Sequence, residues 1–267
     1  MKDHCLELAR QQSGPSEKYN VLREYTQAYV LNIMQEAGAL RSCVFVGGTA
    51  LRFLYDLPRF SEDLDFCAVG PYDLVFADLL GKIKQELVLA GYEVSVTYSD
   101  DKTVHSAFIK FEGLLFEAGL SRLKSEKFSI KIEIDTRPPG GAVVVTRVIN
   151  KFFPMAFLTY DLPSLFAGKM HAVLSRKYVK GRDYYDIAWY LSKRKDLLPN
   201  LALLSAALEQ TGWKGPAVTG ENWRSVLAAR VEQTDWKIVD QDVNNFLERP
   251  EDLKVLTKEN VLRLLAE

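Results

Sequence analysis

The sequence is poor in the residues that build disulfide frameworks and thiolate metal sites. It has three cysteines, Cys5, Cys43 and Cys67, and three widely separated histidines. An odd number of cysteines without CxxC spacing argues against a disulfide network or a thiolate zinc site. We therefore expect reduced, mostly buried thiols and no histidine metal cluster.

Long apolar runs and an excess of charge of either sign are also lacking. No run of about 18 apolar residues occurs, and the start MKDHCLELAR lacks the apolar core of a signal peptide. With 34 basic and 35 acidic residues the formal net charge is −1, so no global field attracts nucleic acid or an acidic membrane. These absences predict a soluble cytoplasmic protein without a membrane partner, in which any nucleic-acid binding comes from a local patch.

Helix-like and strand-like stretches are mixed in the first part of the chain. Apolar spacing predicts helices over Tyr19 to Ala37, over TALRFLYDL and over Asp73 to Ala90. Strands are predicted in CVFVGG and DLDFCAV, and then in YEVSVTY, HSAFIKFEG, FSIKIEID and AVVVTRVI. These strands predict a mixed or antiparallel sheet with flanking helices.

The second part of the chain reads as helical. From Leu162 to Leu265 no comparable strand pattern occurs, and helical segments follow one another. Pro154 and Pro163 bracket the change of pattern. We predict an α+β fold with a core domain over residues 1–158 and a helical domain over residues 159–267.

A glycine turn is the first candidate site. Gly47 and Gly48 end a predicted strand and Thr49 is expected to begin a helix, so backbone N–H groups can approach an anion closely. Arg59 and Ser61 follow within the same stretch and could hold a triphosphate. The turn alone is a weak signal, and its weight depends on the acidic residues after it.

Two aspartates, Asp63 and Asp65, come directly after this stretch. On a strand, residues two apart project to the same face, and two carboxylates held that close suit Mg²⁺ bridging to phosphate oxygens. The alternative is a solvated strand edge in which Leu64 and Phe66 face the core.

A third carboxylate is offered by the segment KIEIDTR. Lys131, Glu133 and Asp135 share one face of a predicted strand, while the intervening isoleucines share the other. Two-metal phosphoryl transfer uses such a group to hold metal and to draw a proton from the attacking hydroxyl. We take Glu133 as this group and Asp135 as the substitute; an ordinary amphipathic strand is the alternative.

The helical part carries a second polar cluster. Lys169 and Arg176 are seven residues apart and project together, as Asp183 and Asp186 do on the next predicted helix. The cations could hold nucleotide phosphates, and the aspartates could orient Lys169 or bind a ribose or base. A salt-bridged helical hairpin is the alternative.

The stretch from Lys169 to Lys195 has eight basic and two acidic residues. Five aromatic residues are interleaved with them, namely Tyr178, Tyr184, Tyr185, Trp189 and Tyr190. This mixture suits phosphate contacts and base stacking, so RNA binding is one interpretation and a solvated charged face is the other.

Four motifs resemble those of one family. GGTAL followed by RFSEDLDF is similar to the signature of the AbiEii nucleotidyltransferases, toxins of type IV toxin–antitoxin systems that include the mycobacterial MenT toxins. Lys131, Glu133 and Arg137 match the family pattern KxExxxR. Lys169 with Ala172 matches KxxA, and the RDxxD pattern follows at residues 182–186.

The resemblance implies a polymerase-β-like nucleotidyltransferase fold and transfer of NMP from an NTP. It implies Mg²⁺, or Mn²⁺, at Asp63, Asp65 and Glu133, and activity that depends on Lys169 and on one of the two aspartates Asp183 and Asp186. The sequence does not settle which aspartate this is, and we take Asp186 as the catalytic one. The implied nucleotide-binding residues are Gly47, Gly48, Thr49, Arg59, Ser61, Lys131, Arg176 and Asp183.

The implied acceptor is the 3′ end of tRNA, with inhibited translation and growth as the consequence and a separately encoded antitoxin as partner. A small-molecule or protein hydroxyl is an alternative acceptor. A non-catalytic nucleotide-binding module is the alternative of a different class.

Overall fold

The computed structural model of the protein describes residues 1–70 and 74–267. The strands are β1 (Cys43–Val46), β2 (Leu64–Ala68), β3 (Glu93–Ser99), β4 (Val104–Glu112), β5 (Phe128–Asp135), β6 (Val144–Asn150) and β7 (Pro154–Tyr160). The α-helices are α1 (Lys2–Arg10), α2 (Pro15–Glu36), α3 (Gly47–Tyr55), α4 (Phe76–Leu89), α5 (Leu114–Glu117), α6 (Leu162–Ser175), α7 (Gly181–Lys193), α8 (Leu201–Gln210), α9 (Trp223–Glu232), α10 (Trp236–Val243) and α11 (Lys258–Ala266).

The strands form one mixed sheet in the order β3-β4-β5-β2-β1-β7-β6. β2 is antiparallel to β1 and parallel to β5, and β1 is parallel to β7. β4 is antiparallel to both β3 and β5. This sheet with its flanking helices confirms the predicted α+β fold.

One face of the sheet packs into the main hydrophobic core. On β5 the side chains Phe128, Ile130, Ile132 and Ile134 are fully buried and alternate with half-buried polar ones. Apolar residues of α1, α2 and α4 belong to the same core. Because side chains alternate along a strand, the polar residues of β2 and β5 lie on the opposite face.

Several element predictions differ from the structure. The strand β7 was not predicted, because its first residue is Pro154, although proline is tolerated at the start of a strand. Helix α3 begins at Gly47 and not at Thr49, so the glycines form its first turn. Helix α4 begins at Phe76, and the expected start at Asp73 lies outside the described residues.

The chain divides into two compact units. The first consists of Met1–Asp56, Phe60–Pro138 and Thr146–Thr159. The second consists of Leu57–Arg59, Pro139–Val145 and Tyr160–Glu267, so it joins the helical half of the chain to two short earlier segments. No helix in the described part of the chain has the length and apolar character to cross a membrane.

Candidate active site

The glycine turn lies where β1 runs directly into α3. Gly47 has a φ of +79°, a left-handed conformation that side chains other than glycine rarely adopt. A Cβ atom at this position would overlap the carboxylate of Asp65. Gly47 is therefore required both by the backbone and by the close approach of Asp65.

The loop that leads to Asp63 is held by two buried side chains. The Thr49 hydroxyl, which has no exposed surface, donates a hydrogen bond to the backbone oxygen of Asp63. The Gln27 side-chain amide of α2 donates to the carbonyl oxygens of Ser61 and Glu62, at 3.1 and 2.7 Å. These bonds fix the backbone just before β2.

The strand register aligns the acidic residues. Asp65 on β2 lies directly beside Glu133 on β5, whereas Asp135 lies beside Cys67, two residues farther along. The Asp135 carboxylate also accepts a hydrogen bond from the backbone N–H of Arg137, at 2.9 Å. Of the two candidates for the third carboxylate, Glu133 is therefore the one in register with Asp65.

Lys131 is the cation of this cluster. Its Nζ lies 2.8 Å from Oε1 of Glu133, and both side chains are about 30% exposed, at 29% and 31%. Burial alone would lower the pKa of Lys131, but the hydrogen bond and charge of Glu133, with the charges of Asp63 and Asp65, raise it. The ammonium therefore stays charged and offsets part of the acidic charge.

The donor chemistry of this cluster fits a hard divalent cation. Asp65 and Glu133 supply carboxylate oxygens from two neighbouring parallel strands, and Asp63 lies just before β2. Carboxylate oxygen is the ligand type that Mg²⁺ prefers. As they stand, the acidic, histidine and cysteine side chains of residues 1–70 and 74–267 form no group of three that could hold a metal ion. Glu133 is engaged by Lys131, so metal binding requires its carboxylate to turn away from that ammonium.

The second unit holds a separate charged cluster centred on Asp186. Both carboxylate oxygens of Asp186 accept from the Arg59 guanidinium, at 2.6 Å each, and one is 2.8 Å from Lys169 Nζ. The side chains of Arg59 and Asp186 are 2% and 0% exposed. Burial alone would lower the pKa of Arg59 and Lys169, but the charge and hydrogen bonds of Asp186, together with the charge of Asp183, raise the pKa of both.

Asp183 completes this cluster at the start of α7. It accepts from Lys169 Nζ at 3.1 Å and from Arg176 at 2.8 Å. Burial acts to raise the pKa of Asp183, but the charges of Lys169 and Arg176 lower it below its usual value. The hairpin of α6 and α7 is therefore salt-bridged, as the alternative interpretation of its sequence had it, and Arg176 remains one-third exposed.

Several expected ligand contacts are not available as the residues stand. Thr49 and Arg59 were expected to contact phosphate, but both are buried and bond within the protein. The aromatic residues of the basic stretch were expected to suit base stacking, yet all but Tyr178 are buried, because the other four lie on α7, which is buried around nearly its whole circumference. The basic stretch therefore offers one exposed ring.

Sequence reasoning missed Gln27 and the pair of Arg59 with Asp186. Gln27 lies on α2 among other buried polar residues, and its sequence spacing resembles that of an ordinary solvated helix face. Arg59 and Asp186 are 127 positions apart, so no local pattern links them. The presence of Arg59 in the same motif as Asp63 was the one available signal.

The chain belongs to the AbiEii nucleotidyl transferase toxin family of type IV toxin–antitoxin systems, whose model matches residues 30–258.

Two solved structures share the fold. JHP933 from Helicobacter pylori matches with a TM-score of 0.55 and 18% identity over 91% of this chain and 89% of that one. A candidate nucleotidyltransferase from H. pylori matches with a TM-score of 0.51 and 19% identity, over 92% and 96% of the two chains. No curated protein matches the sequence.

Proposed function

We propose that the protein transfers a nucleoside monophosphate from an NTP to an acceptor hydroxyl and releases pyrophosphate. The observation that carries the proposal is the register that sets Asp65 beside Glu133 on adjacent parallel strands. Asp63 precedes Asp65 by two residues, and the glycine turn at Gly47 packs against Asp65. Three carboxylates next to a helix N-terminus are the parts that phosphoryl transfer needs.

The roles of the residues follow from their chemistry. Asp63, Asp65 and Glu133 would hold Mg²⁺ or Mn²⁺, which supplies positive charge to the phosphate oxygens when bound. Gly47 and Gly48 open α3, whose free N–H groups suit the β- and γ-phosphates. Lys131 contributes a cation beside the carboxylates, and Ser61 stays a candidate phosphate contact.

The reaction needs one proton transfer. The acceptor oxygen forms a bond to the α-phosphorus, the bond from that phosphorus to the oxygen bridging to the β-phosphorus breaks, and pyrophosphate leaves with the electron pair. The hydroxyl proton passes to the carboxylate of Glu133. The register favours Glu133 over Asp135 for this role, because Glu133 is the residue beside Asp65.

The charged cluster of the second unit has a supporting part in the proposal. Asp186 is fully buried and bonds Arg59 and Lys169, so we assign Asp186 and Arg59 the role of positioning Lys169. Lys169 and Arg176, both bonded to Asp183, stay candidate cations for holding nucleotide phosphates. Arg176 is the more exposed of these two side chains, at 33% against 12% for Lys169.

The proposed acceptor is the 3′ end of tRNA, with arrest of translation and growth in the cytoplasm as the result. Membership of a type IV toxin–antitoxin family supports this proposal and supports a separately encoded antitoxin as partner. Addition of nucleotides to the acceptor end would prevent aminoacylation, which is how the proposed transfer would stop translation.

The test is incubation of the purified protein with Mg²⁺, deproteinised total tRNA and each labelled NTP in turn. Label should enter tRNA with the wild type and not with Asp65→Ala. Glu133→Gln should lose at least about 100-fold in rate, while Asp135→Asn should lose little. Equal losses in the last two variants would contradict the assignment of the base.

Label in no tRNA lane would overturn the tRNA proposal. Assays with total protein and with small hydroxyl compounds then decide between another acceptor and a module that binds NTP without turnover. Isothermal titration with NTP and Mg²⁺ identifies the module, since it would show binding where no product forms.

A further inference from the structure

An exposed phenylalanine lies on the polar face of the sheet. Phe108 on β4 is 40% exposed and is the register partner of Lys131, whose Nζ lies 5.6 Å from the ring centroid. The next pair on this face joins Ser106 to Glu133. Phe108 therefore shares a face with the acidic cluster, one strand beyond Glu133.

The order of the strands indicates on which side of the reacting phosphorus this ring lies. Across the sheet the order is β1 with the glycine turn, β2 with Asp65, β5 with Glu133 and then β4 with Phe108. In phosphoryl transfer the attacking and leaving oxygens lie roughly in line on opposite sides of the phosphorus. With pyrophosphate leaving on the glycine-turn side, the acceptor approaches from the side of β5 and β4.

The distance between Glu133 and Phe108 matches the size of one nucleoside. Adjacent strands lie about 4.8 Å apart and two residues along a strand span about 6.8 Å, so the Cα atoms of Glu133 and Phe108 are separated by roughly 8 Å. When the attacking hydroxyl lies at Glu133, this distance leaves room for the sugar that carries the hydroxyl. The base on the same sugar then reaches the ring of Phe108.

We infer that Phe108 stacks the terminal base of a single-stranded nucleic-acid acceptor, a binding role that rests on the proposed transfer reaction. Base stacking on an aromatic ring is sequence-tolerant and contributes about 1–3 kcal/mol per base. Lys110 lies two residues farther along β4 on the same face and contacts the phosphate that precedes the terminal nucleotide. The cations Lys131, across from the ring on β5, and Lys110, two residues along β4, complement the charge of such a strand.

The sequence predicted base stacking on aromatic residues of the helical half, and this inference places base stacking on the sheet instead. Four of the five aromatic residues between Lys169 and Lys195 are buried. Phe108 combines exposure, a neighbouring cation and alignment with a proposed catalytic residue.

The test is binding of a fluorescent single-stranded RNA to the full chain, measured by anisotropy without NTP. Phe108→Ala and Phe108→Leu should each weaken binding by about 10-fold, from the stacking energy above, and Phe108→Trp should retain it. Phe116→Ala is the matched control, since Phe116 is 49% exposed on α5 of the same unit. Lys110→Ala should reduce the slope of log Kd against log salt by about 1.

The outcomes separate this inference from the transfer reaction. Unchanged RNA binding in Phe108→Ala and Phe108→Leu, or no RNA binding by the wild type, overturns the inference even if NMP transfer to another acceptor is found. A raised KM for NTP with an unchanged KM for RNA also overturns it, because the ring would then hold the incoming base. RNA binding that depends on Phe108 without any label transfer supports the inference and refutes the proposed reaction.

Discussion

Replacing Gly47 by alanine tests the close packing of the glycine turn against Asp65. The added methyl group has two separate effects. It forces a non-glycine residue into a φ of +79°, which costs about 1–2 kcal/mol of unfolding free energy. It also overlaps the Asp65 carboxylate, which must move because the backbone of β1 and α3 leaves the methyl group no other direction.

Gly38 is a matched control for the first effect. Its φ is +77°, and a Cβ atom there would meet no atom within 4 Å. Gly38→Ala should therefore lose the same 1–2 kcal/mol without moving Asp65. The difference between the two variants isolates the contact with the carboxylate.

The assay combines urea denaturation with the labelled-NTP transfer reaction. A misplacement of a reacting group by about 1 Å costs roughly 100-fold in rate, so Gly47→Ala should lose about that factor and Gly38→Ala should keep near wild-type turnover. If both variants lose equal stability and both keep their activity, the contact of Gly47 with Asp65 has no role in the site.

Three further predictions concern the packing around the two clusters. Asp186→Asn should lower the free energy of unfolding, measured in urea, by about 3–5 kcal/mol, because it leaves buried cations without their carboxylate. Arg176→Ala should lower it by under about 1 kcal/mol, and similar losses in the two variants would contradict the burial argument. The lowered pKa of Asp183 means that its contribution to stability is complete above the unfolded value near 4 and is lost as pH falls through the folded value, so Asp183→Asn should flatten the acid limb of stability against pH. An unchanged limb would refute this. Gln27→Leu should lower the free energy of unfolding by about 1–3 kcal/mol and slow NMP transfer. Gln35→Leu also removes two hydrogen bonds to the backbone but should leave the transfer rate unchanged. Equal transfer rates in the two variants would show that the reaction does not need the Gln27 bonds to the loop before β2.

Local pattern was sufficient to predict most of the sheet. The alternation in FSIKIEID gives its burial directly, since every second residue of β5 is buried. β7 was missed because its pairing with β1 is a long-range property, and a proline at its start hides it. Helix α1 was missed because a short helix depends on packing, here of Cys5, Leu6 and Ala9.

The candidate site was predictable in its residue types and less so in its contacts. The glycine turn and the aspartate pair are adjacent in sequence, so their proximity follows from a strand, a helix and a strand in succession. The burial of Arg59 against Asp186 depends on residues 127 positions apart. A guanidinium that reads as a phosphate ligand from its motif is, in the folded chain, the partner of a buried carboxylate.

The choice between Glu133 and Asp135 shows what a repeat of two residues cannot decide. Both side chains project from the same face of β5, and both are acidic, so periodicity ranks them equally. The tie is broken by the neighbouring strand, because β2 runs parallel to β5 and brings Asp65 level with Glu133. A shift of that register by two residues would align Asp65 with Asp135 instead and would transfer the proposed base with it. The position of the proposed base is therefore set by how β2 pairs with β5, and the motif around Glu133 describes the outcome of that pairing without determining it.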